Sequence, residues 1–152
     1  MNPRYVIRLE VPGVIDMRDT VLRTLSAACK LVVALSGIDG VPDDGNQAGT
    51  FTAQVISGVG EAFNNVAQHA YRTDAAGAVR FTMEMGPGCI TVRMEDFGQS
   101  FDPALVPAPD LENLPERGLG VFIIKSFMDE VTYAPGTPNA FTLVKRLKPA
   151  QS

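Results

Sequence analysis

From Arg4 to Val11 polar and apolar residues alternate with the period of two that a half-buried strand requires. The period then changes. Val21, Leu25, Ala28, Cys29, Val32 and Leu35 recur at helical spacing, and Asp16 stands where it can cap that helix. A Gly/Asp-rich loop over 37–49 ends it, and a second helix is predicted from about Phe51 to Tyr71, with Val55, Ile56, Val59, Phe63, Val66 and Ala70 on one side. Gly58 and Gly60 lie inside that helix, where each costs about 1 kcal/mol of helix propensity. "VRFTMEM" and "CITVRMED", joined through Gly86, Pro87 and Gly88, predict a hairpin. A stretch with prolines at 103, 107, 109 and 115 follows, before "GLGVFIIKSFMDEV" resumes helical spacing and "VTYAPGTPNAFTLVKRL" closes as a strand pair. The order predicts an α+β fold in two layers, with helices on one face of a mixed, mostly antiparallel sheet.

Composition narrows the classes. The 152 residues suit one domain, 1–152, with no internal repeat or low-complexity tract. Thirteen Lys and Arg against seventeen Asp and Glu leave a net charge of −4 with no basic cluster, which disfavours direct nucleic-acid binding. The start, "MNPRYVIRLEV", lacks the apolar core of a signal peptide, and the longest aliphatic run, "LVVAL", is far too short to span a bilayer. A cytoplasmic protein without a membrane partner is expected. Cys29 and Cys89 stand in no metal-ligand spacing, and Cys29 falls on the apolar stripe of the first helix, so both are expected to be reduced structural thiols.

Three stretches carry candidate chemistry. In "EAFNNVAQHAY", Glu61, Asn65, Gln68 and Arg72 form a narrow polar stripe opposite Val59, Phe63, Val66 and Ala70. A carboxylate one turn from an amide suits a magnesium-phosphate site, since the amide oxygen is a hard neutral ligand and the carboxylate can accept a proton. Taken alone, the pair is more often an ordinary solvated helix face. In "ITVRMED", Ile90, Val92, Met94 and Asp96 share one parity, so Asp96 stands on the helix-covered face at the strand's end. A carboxylate there either caps the following turn or accepts a donor such as the exocyclic amine of adenine, with Gly98 admitting close approach. In "ERGLGVFII" two glycines open an apolar helix, whose exposed amides can take phosphate. That last signal is weak by itself.

Some readings are excluded. Asp96-Phe97-Gly98 spells the magnesium tripeptide of eukaryotic-type protein kinases, but no Gly-rich strand loop, strand lysine, H-R-D loop or A-P-E accompanies it. The G-x-G of 118–120 is no dinucleotide fingerprint, because no strand leads into it and the third glycine is missing, and the chain has no P-loop. Between the second and third stretches, 99–117 forms an aperiodic segment of the length that active-site lids have.

In this order and spacing, "EAFNNVAQHAY", "EDFGQSFDP" and "ERGLGVFIIKSFMDEV" resemble the three nucleotide-binding boxes of the GHKL (Bergerat-fold, HATPase_c) superfamily. More narrowly they resemble the anti-sigma-factor serine/threonine-protein kinases of bacterial partner-switching systems, over about Tyr5 to Leu147. The resemblance implies ATP and Mg²⁺ as cofactors, with Asn65 coordinating the metal and Glu61 acting as general base on a serine hydroxyl of a partner. It implies that Asp96 reads the adenine amine beside Gly98, that Gly118, Leu119 and Gly120 cradle phosphates, that Arg117 faces the γ-phosphate, and that 99–117 is the ATP lid. His69 and Tyr71 match the pattern in letters and are expected to pack around the site. The implied partners are a STAS-domain anti-anti-sigma factor as substrate, a sigma factor or other client in the alternative complex, and a second copy of the chain in a homodimer. Two alternatives stay open: a nucleotide-switched anti-sigma module without kinase output, and a detached histidine-kinase catalytic domain. The second is disfavoured because the sole histidine, His69, lies inside the nucleotide helix.

Overall fold

A computed structural model describes residues 4–37, 47–70, 77–100 and 119–148. Arg117, Gly118, Tyr71, Arg72, the side chain of His69 and all of the expected lid except Gln99 and Ser100 lie outside the described residues. The first strand, β1 (Tyr5–Pro12), is followed by a single 3₁₀ turn (Ile15–Met17) and the helix α1 (Arg18–Leu35). Asp16 therefore does not cap α1. It lies within the 3₁₀ turn, and neither Val14 nor Met17, which precede the two helical pieces, makes a side-chain cap. The next helix, α2 (Gln47–Asn65), begins ahead of the expected Phe51 and passes after Asn65 into a π turn (Val66–Ala70).

The hairpin expected from the sequence is β2 (Ala78–Gly86) and β3 (Cys89–Asp96). Its turn puts Pro87 and then Gly88 at the two central positions, and Gly88 adopts a φ of 70°, which a side chain would resist. The last helix, α3 (Leu119–Phe127), is shorter than its sequence pattern, because Asp129 turns the chain and Glu130 already starts β4 (Glu130–Ala134). The final strand is β5 (Asn139–Arg146). The sheet order is β1-β2-β3-β5-β4, and all four of these pairings are antiparallel, which sharpens the expected mixed sheet. No helix among the described residues is long and apolar enough to cross a membrane.

One face of this sheet is apolar, and the helices cover it. Val79, Phe81, Met83 and Met85 of β2, Ile90, Val92 and Met94 of β3, and Phe141 and Leu143 of β5 are buried against Val21, Leu25, Cys29 and Val32 of α1 and Val55, Val59 and Phe63 of α2. These are the positions that the period-two and helical patterns select.

The glycines inside α2 also have structural reasons. A Cβ at Gly58 would come within 2.8 Å of Sδ of Met128, just past α3, and one at Gly60 would come within 2.8 Å of the Arg18 guanidinium. Arg18 crosses α2 there and donates from Nε to Asn64 Oδ1 at 3.1 Å. The helix gives up propensity so that α3 and Arg18 can approach it.

Candidate functional site

Two small clusters of polar residues gather at one end of the helix-covered face. The first is held by α2 and α3. Glu61 and Asn65 lie one turn apart near the end of α2, half-buried, so the solvated-face reading does not hold for them. The start of α3 lies against them: a Cβ built at Gly120 would stand 3.0 Å from Glu61 Oε2 and 3.5 Å from Asn65 Oδ1. Any larger residue at Gly120 would fill the space between the carboxylate and the helix start. Nδ2 of Asn65 is buried and has no hydrogen-bond partner. An orphaned amide of this kind costs about 1–3 kcal/mol unless a ligand or water completes it. Gln68, the third member of the predicted stripe, is exposed in the π turn that follows.

The second cluster is held by the strands. Asp96 ends β3 with 4% of its surface exposed, and its Oδ1 accepts from the backbone N–H of Gly98 at 2.9 Å and from Asn139 Nδ2 at 3.0 Å. The turn-capping role foreseen for this aspartate is therefore present, and it engages a single carboxylate oxygen. Asn139, fully buried, stands directly opposite Asp96 in the β3–β5 register. Its Nδ2 also donates to the carbonyl of Gly98 at 2.9 Å, and its Oδ1 accepts from the N–H of Gly136 at 2.9 Å and from the hydroxyl of Ser100. One side chain thus ties the end of β3, the chain after it and the turn into β5. Phe97, between Asp96 and Gly98, is 41% exposed with the Arg80 guanidinium 5.2 Å from its ring centre, so it belongs to the surface.

Of the sequence candidates, Glu61, Asn65 and Gly120 come together in the first cluster and Asp96 and Gly98 in the second. Leu119 is the first residue of α3 and is half-buried; Arg117 and Gly118 lie outside the described residues. Asn139 was not among the candidates. The signal that singled out Asp96 applies to it, since Asn139 shares parity with Phe141 and Leu143 on an apolar face. The partner strand, however, shows only in the register.

Among the described residues no three His, Cys, Asp or Glu side chains group as a metal cage. The donor set instead suits a magnesium ion that takes one protein oxygen and completes its shell with phosphate and water. The buried unpartnered amide of Asn65 and the glycine-only gap at 120 both fit a nucleotide triphosphate with such an ion.

Comparison with known proteins gives concordant results. Residues 22–145 match the model of the histidine kinase-like ATPase domain. The chain is 35% identical over 102 residues to the serine-protein kinase RsbW of Staphylococcus epidermidis, covering 61% of this chain and 64% of the relative. It is 32% identical over 82 residues to the serine-protein kinase RsbW of Bacillus thuringiensis, covering 48% of this chain and 50% of that relative. The chain thus spans from half to somewhat under two thirds of the length of these curated relatives. Among solved structures, the histidine kinase domain of the blue-light activated histidine kinase of Erythrobacter litoralis EL346 superposes with a TM-score of 0.51 at 20% identity, over 81% of this chain and 61% of that one. That likeness is one of fold.

Proposed function

Because the chain belongs to the histidine kinase-like ATPase domain family, we propose that it is an ATP-dependent protein serine/threonine kinase of the partner-switching type. Its substrate is a serine or threonine hydroxyl on a STAS-domain antagonist, and its alternative partner is a sigma factor or comparable client. The observation that carries the reading is the junction of α2 and α3, where Glu61, Asn65 and the bare Cα of Gly120 enclose one space. Phosphoryl transfer needs mainly positioning and charge neutralisation; this junction supports the first, and Mg²⁺, the helix start and Arg117 would supply the second.

In this reading Asp96 accepts the adenine amine with the carboxylate oxygen that Gly98 and Asn139 leave free. Asn139 holds the carboxylate in place from across the sheet. Asn65 offers its amide oxygen to Mg²⁺ and its buried amide N–H to a phosphate or water. When bound, the metal would neutralise phosphate charge as it moves from the γ-position. The start of α3 at Leu119 and Gly120 takes phosphate oxygens on its backbone amides, and Gly118 and Arg117, which precede it in sequence, would add a further amide and a positive charge for the γ-phosphate. Glu61 accepts the proton of the attacking hydroxyl; that oxygen bonds to the γ-phosphorus as the bond from phosphorus to the β-γ bridging oxygen breaks, and ADP leaves.

Incubation with γ-labelled ATP, Mg²⁺ and a STAS-domain antagonist is expected to place an acid-stable label on a serine or threonine of the antagonist. Glu61→Ala is expected to lower the rate by about 10²–10⁴-fold while nucleotide still binds. Nucleotide-dependent partner binding without transfer would make the protein a switched binding module, and an acid-labile phosphohistidine would make it a histidine kinase.

A further inference from the structure

Among the described residues the buried polar or charged side chains are Asp96, Asn139 and Lys145. Asp96 and Asn139 face each other across β3 and β5 and belong to the site above. Lys145 does not. It stands at the other end of the same helix-covered face, opposite Ile90, with the apolar pairs Met94/Phe141 and Val92/Leu143 in between. At the rise of a strand, Lys145 is about 20 Å from Asn139 along β5. The pattern of the strand calls for an aliphatic residue there. An ammonium in its place needs acceptors for three donors. Its side chain is 10% exposed, and the Asp129 carboxylate approaches it only to 3.7 Å through Oδ1, an ion pair beyond hydrogen-bond range. The other oxygen of Asp129 accepts the backbone N–H of Arg146 at 2.7 Å.

Lys145 lines a cavity of about 650 Å³ where the N-terminal half of α2, the end of α3 and the end of β5 meet. This volume is in the range of sites for small organic molecules. Thr50 and Gln54 present hydrogen-bonding groups from α2, the buried Phe51 and Leu147 floor the cavity from the edge of the core, and Lys148 adds a second cation. The Arg146 guanidinium is already paired with Glu130 at 2.6 Å, so among the described residues the lining holds two further cations, Lys145 and Lys148, and one carboxylate, Asp129. Among the described lining residues the surplus is one positive charge.

We propose that this cavity is a second ligand site, taking a small organic anion whose carboxylate or phosphate group is held by Lys145 and Lys148. The site shares α2, α3 and β5 with the nucleotide site but none of its residues, so the proposal stands or falls independently of the kinase reading. A titration of the ¹⁵N-labelled full chain with phenyl phosphate, and separately with benzoate, tests it. Saturable amide shifts are expected at Thr50, Gln54, Leu147 and Lys148, with half-saturation at about 1 mM or below for at least one probe. Saturation by phenyl phosphate alone assigns a phosphate ligand, and by benzoate alone a carboxylate. Lys145→Met is expected to weaken binding about tenfold or more. Thr50→Trp, at an exposed helix position, is expected to block the cavity and decides the matter if Lys145→Met does not fold. The proposal is overturned if neither probe saturates, if the shifts are confined to Glu61, Asn65 and Gly120, or if the folded variants bind as the parent does.

Discussion

At the scale of single residues, the arrangement around Asp96 rests on Asn139. A buried carboxylate is useful as an acceptor only while it is held in one place, and the two donors on Oδ1 do this. Asn139→Leu keeps the volume while removing every donor and acceptor, and it leaves the Gly136 N–H and the Gly98 carbonyl without their partner. The expected outcome is a loss of about 1–3 kcal/mol in denaturant unfolding, with ATP affinity falling about tenfold. An unchanged unfolding midpoint would remove Asn139 from this role. Cys29 shows the opposite use of burial. Its thiol sits in the core, and desolvation pushes its pKa up from 9.0 to about 12. The raised value means that the folded chain keeps the proton after the unfolded chain has lost it, so this thiol's contribution is intact below pH 9 and declines as pH rises from 9 towards 12. Native protein at pH 8 is expected to react with a thiol reagent at Cys89, which is half-buried, and not at Cys29. Mass mapping of the alkylated residue checks it.

At the scale of elements, α2 is where propensity and packing disagree. Gly→Ala in a helix interior gains about 1 kcal/mol, so the sign of each substitution depends on what the added methyl meets. At Gly58 it meets Sδ and Cγ of Met128, a 5% exposed residue of the core. At Gly60 it meets the far end of Arg18, a flexible side chain that can shift at the cost of its bond to Asn64. Gly58→Ala is therefore expected to destabilise by about 1–3 kcal/mol, as overpacking does, and Gly60→Ala to fall within about 1 kcal/mol of the parent. Equal effects in thermal unfolding would contradict the packing account. The sequence announces both glycines as a local cost without the reason, because the reason comes from Met128 and Arg18, which are distant in the chain. The strands were more legible. Their alternation alone places Val79, Phe81, Met83, Met85, Ile90, Val92 and Met94 on the buried face, since a period of two leaves no other choice. The end of α3 was not legible, because Met128 continues the apolar helical pattern while Asp129 and Glu130 begin the next turn and strand.

At the scale of the molecule, the candidate site exists only through the sheet order. With β5 between β3 and β4, the strand that begins at Asn139 lies beside the one that ends at Asp96, while α3 returns over α2 to bring Gly120 against Glu61 and Asn65. The motifs named Glu61, Asn65, Asp96 and Gly120 from sequence, since their residue types are local signals. Asn139 and Lys145 were missed because their significance lies in burial on one face of a strand whose neighbour the sequence does not specify. A site assembled from four elements couples ligand binding to global stability: a ligand that binds only the folded chain, present at about 100 times its Kd, stabilises it by about 2.7 kcal/mol. For a domain of this size that is a rise of roughly 5–10 °C in Tm. Adenine presents a donor to a carboxylate at its exocyclic position and guanine an acceptor, so a carboxylate in the role proposed for Asp96 would distinguish them. Mg·ATP is thus expected to raise the Tm in this range, Mg·GTP to leave it nearly unchanged, and Asp96→Asn to suppress the ATP shift while leaving the Mg²⁺ dependence of any residual shift as in the parent. Differential scanning calorimetry on parent and variant measures all of these. Equal shifts by both nucleotides would remove Asp96 from base recognition, and a lost Mg²⁺ dependence in Asp96→Asn would move the metal role from Asn65 to Asp96.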